Sequence, residues 1–150
     1  MEHFYRVASQ KIHLSKIREH LQELNDAKTI GIENRPATVG FHTSACAIDL
    51  LELYLHKKGK LELGGQIKHE WFKRPRPDQK ILPLAERKLS IEFKNKKEIL
   101  ELLYALEERR NKLIYGNSAK PEIGLMLSMF DEYKHLHKEM LREEGEEIED

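Results

Sequence analysis

Arg110 and Asn111, followed five residues after the arginine by Tyr115, stand near the end of a helical pattern that runs from residue 96 to Gly116. Counting 100° of rotation per residue from Ile99, the side chains of Leu102, Leu103, Leu106, Leu113 and Ile114 share one face, and Arg110 falls in the middle of it. A permanently charged guanidinium aimed at a core or an interface is costly unless it is paired. Two outcomes are open. Arg110 could form a buried ion pair or a dimer contact, with Glu107 three residues earlier as a candidate partner. Alternatively, its planar fork could hold phosphate oxygens of a nucleotide or an RNA backbone. Arg109 and Lys112 have a simpler explanation, because cations in the last turns of a helix favour its dipole.

Two further groups of residues have chemistry-bearing types. His42, Cys46, Asp49 and His56 lie within about a quarter-turn of one another on an earlier helix. The spacing of the first three could ligate zinc. Mixed polar stripes of this kind are common, however, so no metal site and no cofactor are expected. Asp49 or Glu52 could instead receive Arg110 if the two helices pack together, with His42 supplying a titratable group beside it. The third group is a basic segment, Lys68, His69, Trp71, Phe72, Lys73, Arg74 and Arg76. Cations interleaved with aromatic rings can track a nucleic-acid backbone and stack on bases. That makes Arg109, Lys73, Arg74 and Arg76 nucleic-acid-binding candidates. The alternative is that Trp71 and Phe72 anchor the segment in the core.

The run Arg110-Asn111-Lys112-Leu113-Ile114-Tyr115 resembles the signature of the HEPN superfamily, in which an arginine and a polar residue precede a histidine near the end of a late core helix. The helix around Phe41, Ala45, Ile48, Leu51 and Leu55 is similar to the first core helix of that family. The resemblance implies an all-α, up-and-down bundle that dimerises with two motifs facing a shared cleft. It also implies RNA or nucleotide binding, and in many members metal-independent ribonuclease activity as a toxin paired with a nucleotidyltransferase antitoxin. Under it, Arg110, Asn111 and Tyr115 take the motif positions. Tyr115 stands where the family has histidine. A phenol titrates near pH 10, so general acid–base cleavage of a phosphodiester would lose its best participant. Binding without cleavage is therefore the expected activity. A ribonuclease and a purely protein-binding module are the alternatives.

The elements that must position these residues follow from periodicity. Val7, Leu14 and Leu21, with Ile17 and Leu24, mark a helix over residues 3–26. Pro36 opens a second, largely apolar helix that ends at Gly59, and Gly64-Gly65 opens a short helix through Phe72. Residues 73–95 hold Pro75, Pro77 and Pro83 and read as an irregular connection with one short helix. Asn95 and Glu98 form a capping box for the helix over 96–115, and Pro121 opens the last helix. His13, His20, His135 and His137 read as helix-face residues.

Composition sets the outer bounds. The chain has 150 residues, 35% of them charged, and a formal net charge of zero. That argues for one domain of four to five helices, residues 1–142, and against a protein coated uniformly in nucleic acid. The charge is unevenly spread. Residues 68–97 carry ten Lys/Arg against four Asp/Glu, a net of plus six. Residues 131–150 carry nine acids against three bases, a net of minus six. The segment 143–150 reads as a disordered acidic tail. One cysteine, no signal-peptide pattern at the start and no apolar run of membrane-spanning length suggest a cytoplasmic protein, and the Lys/Glu-heavy balance fits a thermophile.

Overall fold

The second helix carries the core. In the computed structural model, which describes residues 2–61, 65–116 and 120–148 (backbone only for 2–8), five α-helices are present. They are α1 (Glu2–Ile30), α2 (Pro36–Lys57), α3 (Leu84–Lys88), α4 (Lys96–Tyr115) and α5 (Lys120–Glu143). No strand occurs among the described residues. Helices α1, α4 and α5 each pack on α2, and α4 packs on α5. That leaves Val39, Cys46, Ala47, Leu50, Leu51, Leu53 and Leu55 of α2 without solvent contact. A helix surrounded in this way must be apolar nearly all round, as its sequence is.

Side-chain contacts set the directions. His13 of α1 meets Glu52 near the end of α2, while His20 meets His42 near its start, so α1 and α2 are antiparallel. Gly40 near the start of α2 approaches Leu113 at the end of α4. Lys94 before α4 pairs with Glu143 at the end of α5, and Arg109 late in α4 lies near Glu122 early in α5. Successive long helices therefore alternate in direction, giving an all-α, up-and-down bundle. No helix among the described residues is long and apolar enough to cross a membrane.

Helix ends follow local chemistry in some places and overrule it in others. Pro36 occupies the first turn of α2, where its missing N–H is harmless. Gly59 ends α2 with φ 66°; its N–H bonds the His56 carbonyl and the Lys60 N–H bonds that of Leu55, closing both orphan carbonyls. α1 runs four residues past its expected end at Asp26, to Ile30. Asn25 and Asp26 stay helical on the solvent side, where Gln22 donates to Asp26 and Thr29 to the Asn25 carbonyl. The capping box at α4 does not form: Asn95 is left-handed (φ 59°) and makes no side-chain cap bond. The short helix expected from Gly64 to Phe72 is only a 3₁₀ turn, His69–Phe72, and Gly64 lies outside the described residues. Extended backbone before that turn buries Ile67 and points its N–H at Glu52.

The acidic tail is also different from its sequence reading. Residues 144–148 return onto the bundle. Glu146 pairs with Lys57 at 3.2 Å, Glu144 with Lys58 at 3.4 Å, and Ile148 is only 6% exposed, beside Ile17 and Leu21 of α1. Two lysines at the end of α2 neutralise the acids, and one isoleucine anchors them. Residues 149–150 lie outside the described residues.

Gly40 sets how closely α4 approaches α2. A Cβ there would stand 3.0 Å from the Leu113 Cβ, 3.3 Å from Ile114 Cγ1 and 3.4 Å from the Arg110 carbonyl oxygen. A branched side chain cannot fit without moving α4. Gly40→Val is expected to destabilise the protein by about 1–3 kcal/mol, read as a lower urea midpoint at unchanged slope. An unchanged midpoint would mean that the helices separate freely at this crossing.

Candidate functional site

The close crossing at Gly40 leaves a cleft beside it. On α2, Phe41, Ser44, Ala45 and Ile48 line one wall at helical spacing, with Asp49 adjoining. Arg110 of α4 and the segment Ile67, Lys68, His69 and Glu70 complete a cavity of about 400 Å³. Its lining is apolar at Phe41, Ala45, Ile48 and Ile67 and carries charge of both signs, Lys68 and Arg110 with Asp49 and Glu70; Phe41 is 47% exposed. Such a volume lies in the range of small-ligand sites.

Arg110 is half-buried against this cleft. Among the described residues, its guanidinium makes one side-chain hydrogen bond, from Nη1 to Asn111 Oδ1 at 3.2 Å. The carboxylates expected to receive it are occupied elsewhere. Buried Glu107 faces His69, whose Nδ1 lies 3.0 and 3.1 Å from its two oxygens. Asp49 is held by His13 Nδ1 at 3.2 Å and His20 Nε2 at 3.3 Å. Glu52 accepts the Ile67 backbone N–H at 3.0 Å, and its other oxygen lies 3.4 Å from His13 Nε2. Neither the Glu107–Arg110 pair nor the reception of Arg110 by Asp49 or Glu52 is formed. Helix α2 turns those two carboxylates toward α1, not toward α4.

The remaining candidates divide between the cleft and its surroundings. Asn111 is exposed and touches the site through Arg110. Tyr115 is 79% exposed and lies outside the cleft. Arg109 points toward α5, its Nε 3.8 Å from Glu122. Lys73, Arg74 and Arg76, with Arg87, line an adjacent cavity of about 450 Å³ that shares Glu70 with the first. Arg74 is already engaged there, bonding Glu101 and Glu108 at 2.8 Å each with its guanidinium 5.0 Å from the Tyr104 ring centre. Arg76 sits 3.5 Å from Asp78 and is otherwise exposed, as is Lys73. Phe72 is buried and Trp71 packs against the core, so these rings anchor the segment and leave base stacking to others.

The polar stripe of α2 does not make the zinc set suggested by its spacing. Cys46 is wholly buried in the core, and burial pushes its thiol well above the ordinary range. His42 instead meets His20, their Nδ1 atoms 2.9 Å apart, and burial together with His20 lowers its pKa. Asp49 is the hub. Burial works to raise its pKa, but hydrogen bonds from His13 and His20 outweigh that and lower it. The result is a chain of contacts along the α1–α2 seam: His42, His20, Asp49, His13, Glu52. The sequence reading missed the parts played by His13, His20 and His69. A signal was present for two of them, since His13 and His20 repeat at seven residues, as do His42, Asp49 and His56.

Fold and site together define an all-α, up-and-down bundle with an arginine-edged cleft between α2 and α4. Comparison of the chain with family models, with curated proteins and with solved structures gives no match.

Proposed function

We propose that the protein is a HEPN-like module that binds the phosphates of RNA or of a nucleotide at Arg110, without cutting them. The observation that carries this reading is a guanidinium on an open cleft whose one side-chain bond goes to Asn111, while the neighbouring carboxylates Glu107, Asp49 and Glu52 are held by other groups. A guanidinium placed so offers its fork to a phosphate, and Lys68 stands on the same cleft. Apolar Phe41, Ala45 and Ile48 suit the face of a base. The neighbouring cleft of Lys73, Arg74 and Arg76 supplies a continuing basic track for a strand longer than one nucleotide. By the family resemblance, two copies face each other across this cleft, with exposed Phe41 at the apolar rim. A nucleotidyltransferase partner belongs to the same resemblance.

Cleavage is the second reading, and one observation favours it. His69 shares the cleft with Arg110, and buried Glu107 orients its Nδ1 as a carboxylate orients a general-base imidazole. In that reaction, Nε2 takes the proton of an RNA 2′-hydroxyl as the oxygen attacks phosphorus. The 5′-oxygen then leaves with a proton from solvent. Glu70, 3.0 Å from Nε2, must swing aside first.

Labelled single-stranded RNA and a labelled nucleoside triphosphate, each at low salt with chelator present, test both readings. Arg110→Ala is expected to weaken binding roughly tenfold, the loss of about one charge-assisted hydrogen-bonded contact. Arg109→Ala, whose guanidinium faces α5, should bind as the wild type does. Intact RNA after long incubation supports binding alone; products that vanish in His69→Ala support cleavage. No binding of either ligand, or equal binding by Arg110→Ala, refutes the phosphate site.

A further inference from the structure

We propose that His13, Glu52 and His56 form a binding site for a divalent transition-metal ion of the zinc class. All three side chains are buried on the α1–α2 seam, and each offers one ligand atom within 4.8 Å of the other two. Two imidazole nitrogens and a carboxylate oxygen suit a borderline ion such as zinc, cobalt or nickel better than calcium or magnesium, which prefer all-oxygen shells.

The geometry is more specific than a cluster. A tetrahedral ion with bonds near 2.0–2.1 Å separates its ligand atoms by about 3.3 Å. His13 Nε2 and Glu52 Oε2 stand 3.4 Å apart. Both residues are held by their second polar atom. His13 presents Nδ1 to Asp49 Oδ1 at 3.2 Å, an arrangement that fixes the tautomer with Nε2 as the lone-pair nitrogen. Glu52 accepts the Ile67 N–H on Oε1, which leaves Oε2 facing His13. His56 follows Glu52 by four residues on α2, so the two project from one face, and its ring stacks on that of His13 with centres 5.4 Å apart. A cavity of about 330 Å³, bordered by Lys16, Gln66 and Ile67, opens onto the three residues and provides an entry path. With three protein ligands, the fourth position belongs to water from this cavity, the pattern of a site that keeps an open coordination position. Arg110 takes no part, so this site stands or falls separately from the phosphate cleft.

The test is calorimetric titration of the chelator-treated full chain with zinc and with cobalt. One ion per chain is expected. Glu52→Gln and His56→Gln should each weaken zinc binding at least tenfold, and Asp49→Asn should weaken it by about 10–100-fold through the orientation of His13. His135→Gln, on the exposed face of α5, should bind zinc as the wild type does. X-ray absorption of the zinc-loaded wild type needs no variant to fold and should show two imidazoles with oxygen neighbours. No binding at micromolar zinc, equal binding by His56→Gln, or a shell containing sulfur would overturn the site.

Discussion

Acidification should destabilise the wild-type protein more steeply than a His137→Phe variant, with the difference growing by about 1.4 kcal/mol per pH unit below the unfolded histidine pKa near 6.5. His137 is fully buried on α5, stacked on Tyr133 at a ring-centre distance of 4.5 Å. Neither ring nitrogen has a hydrogen-bond partner among the described residues. Burial therefore lowers its pKa to about 3. The sign follows. Between about pH 6.5 and 3 the unfolded chain binds a proton that the folded chain refuses, so stability present above 6.5 is lost as pH falls through this window. At pH 4.5 the difference amounts to roughly 2–3 kcal/mol. Phenylalanine keeps the stacked ring and removes two unsatisfied nitrogens, so stability at pH 7 should hold or rise. Urea melts at several pH values read both effects. Parallel wild-type and variant profiles between pH 6.5 and 4.5 would show that water reaches His137 and that it titrates normally.

That histidine also marks where sequence reasoning reaches its limit. The spacing of apolar residues located α2, α4 and α5 closely, because each buries a stripe whose period is a property of the helix alone. α4 begins and ends at the residues expected, Lys96 and Tyr115. What rotation per residue cannot supply is the neighbour opposite a given face. The angle of Arg110 set it apart from Arg109, yet both are half-buried, and the same arithmetic paired Arg110 with Glu107. The partner of Glu107 is His69, thirty-eight residues away across the proline-punctuated segment. Asn95 shows the same limit on a smaller scale: its type and the glutamate three residues on fit a cap, but the turn entering α4 puts it at positive φ.

The α1–α2 seam was half legible. His42, Asp49 and His56 were visible as one stripe of α2, and the apolar heptads of α1 were visible too. The matching interval between His13 and His20 was also present in the sequence. Reading it required the antiparallel alignment of α1 on α2, which places residue 13 beside 49 and 52 and residue 20 beside 42 and 49. The tail failed for a related reason. Net charge dominates a segment of eight residues, and one isoleucine with two lysines from another helix reverses the outcome.

Asp49→Ala is expected to lower stability by about 2–4 kcal/mol with chelator present, the loss of two hydrogen bonds accepted by one carboxylate. Asp49 is the acceptor shared by His13 and His20, two turns apart on α1, so one carboxylate fastens two points of the same helix. Alanine leaves buried His13 and half-buried His20 on a seam with no acceptor between them, while the apolar contacts of α2 with α4 and α5 remain. The loss should accordingly be local as well as large. Backbone amides of α1 should exchange hydrogen faster, with those of α2, α4 and α5 following only global unfolding. Asp49→Asn retains one carbonyl oxygen and should lose less. A double-mutant cycle with His20→Ala separates the pair from the rest of the seam, and a coupling of about 1–3 kcal/mol is expected for groups in direct contact. A coupling near zero, or exchange that accelerates equally in all four long helices, would mean that apolar packing alone holds α1 and that the histidines are passengers on the seam. The distinction bears on function, because Asp49 also borders the Arg110 cleft. If the seam is held at this residue, α1 also fixes one wall of that cleft, and under the proposed phosphate site Asp49→Ala should weaken RNA binding without touching a single cation.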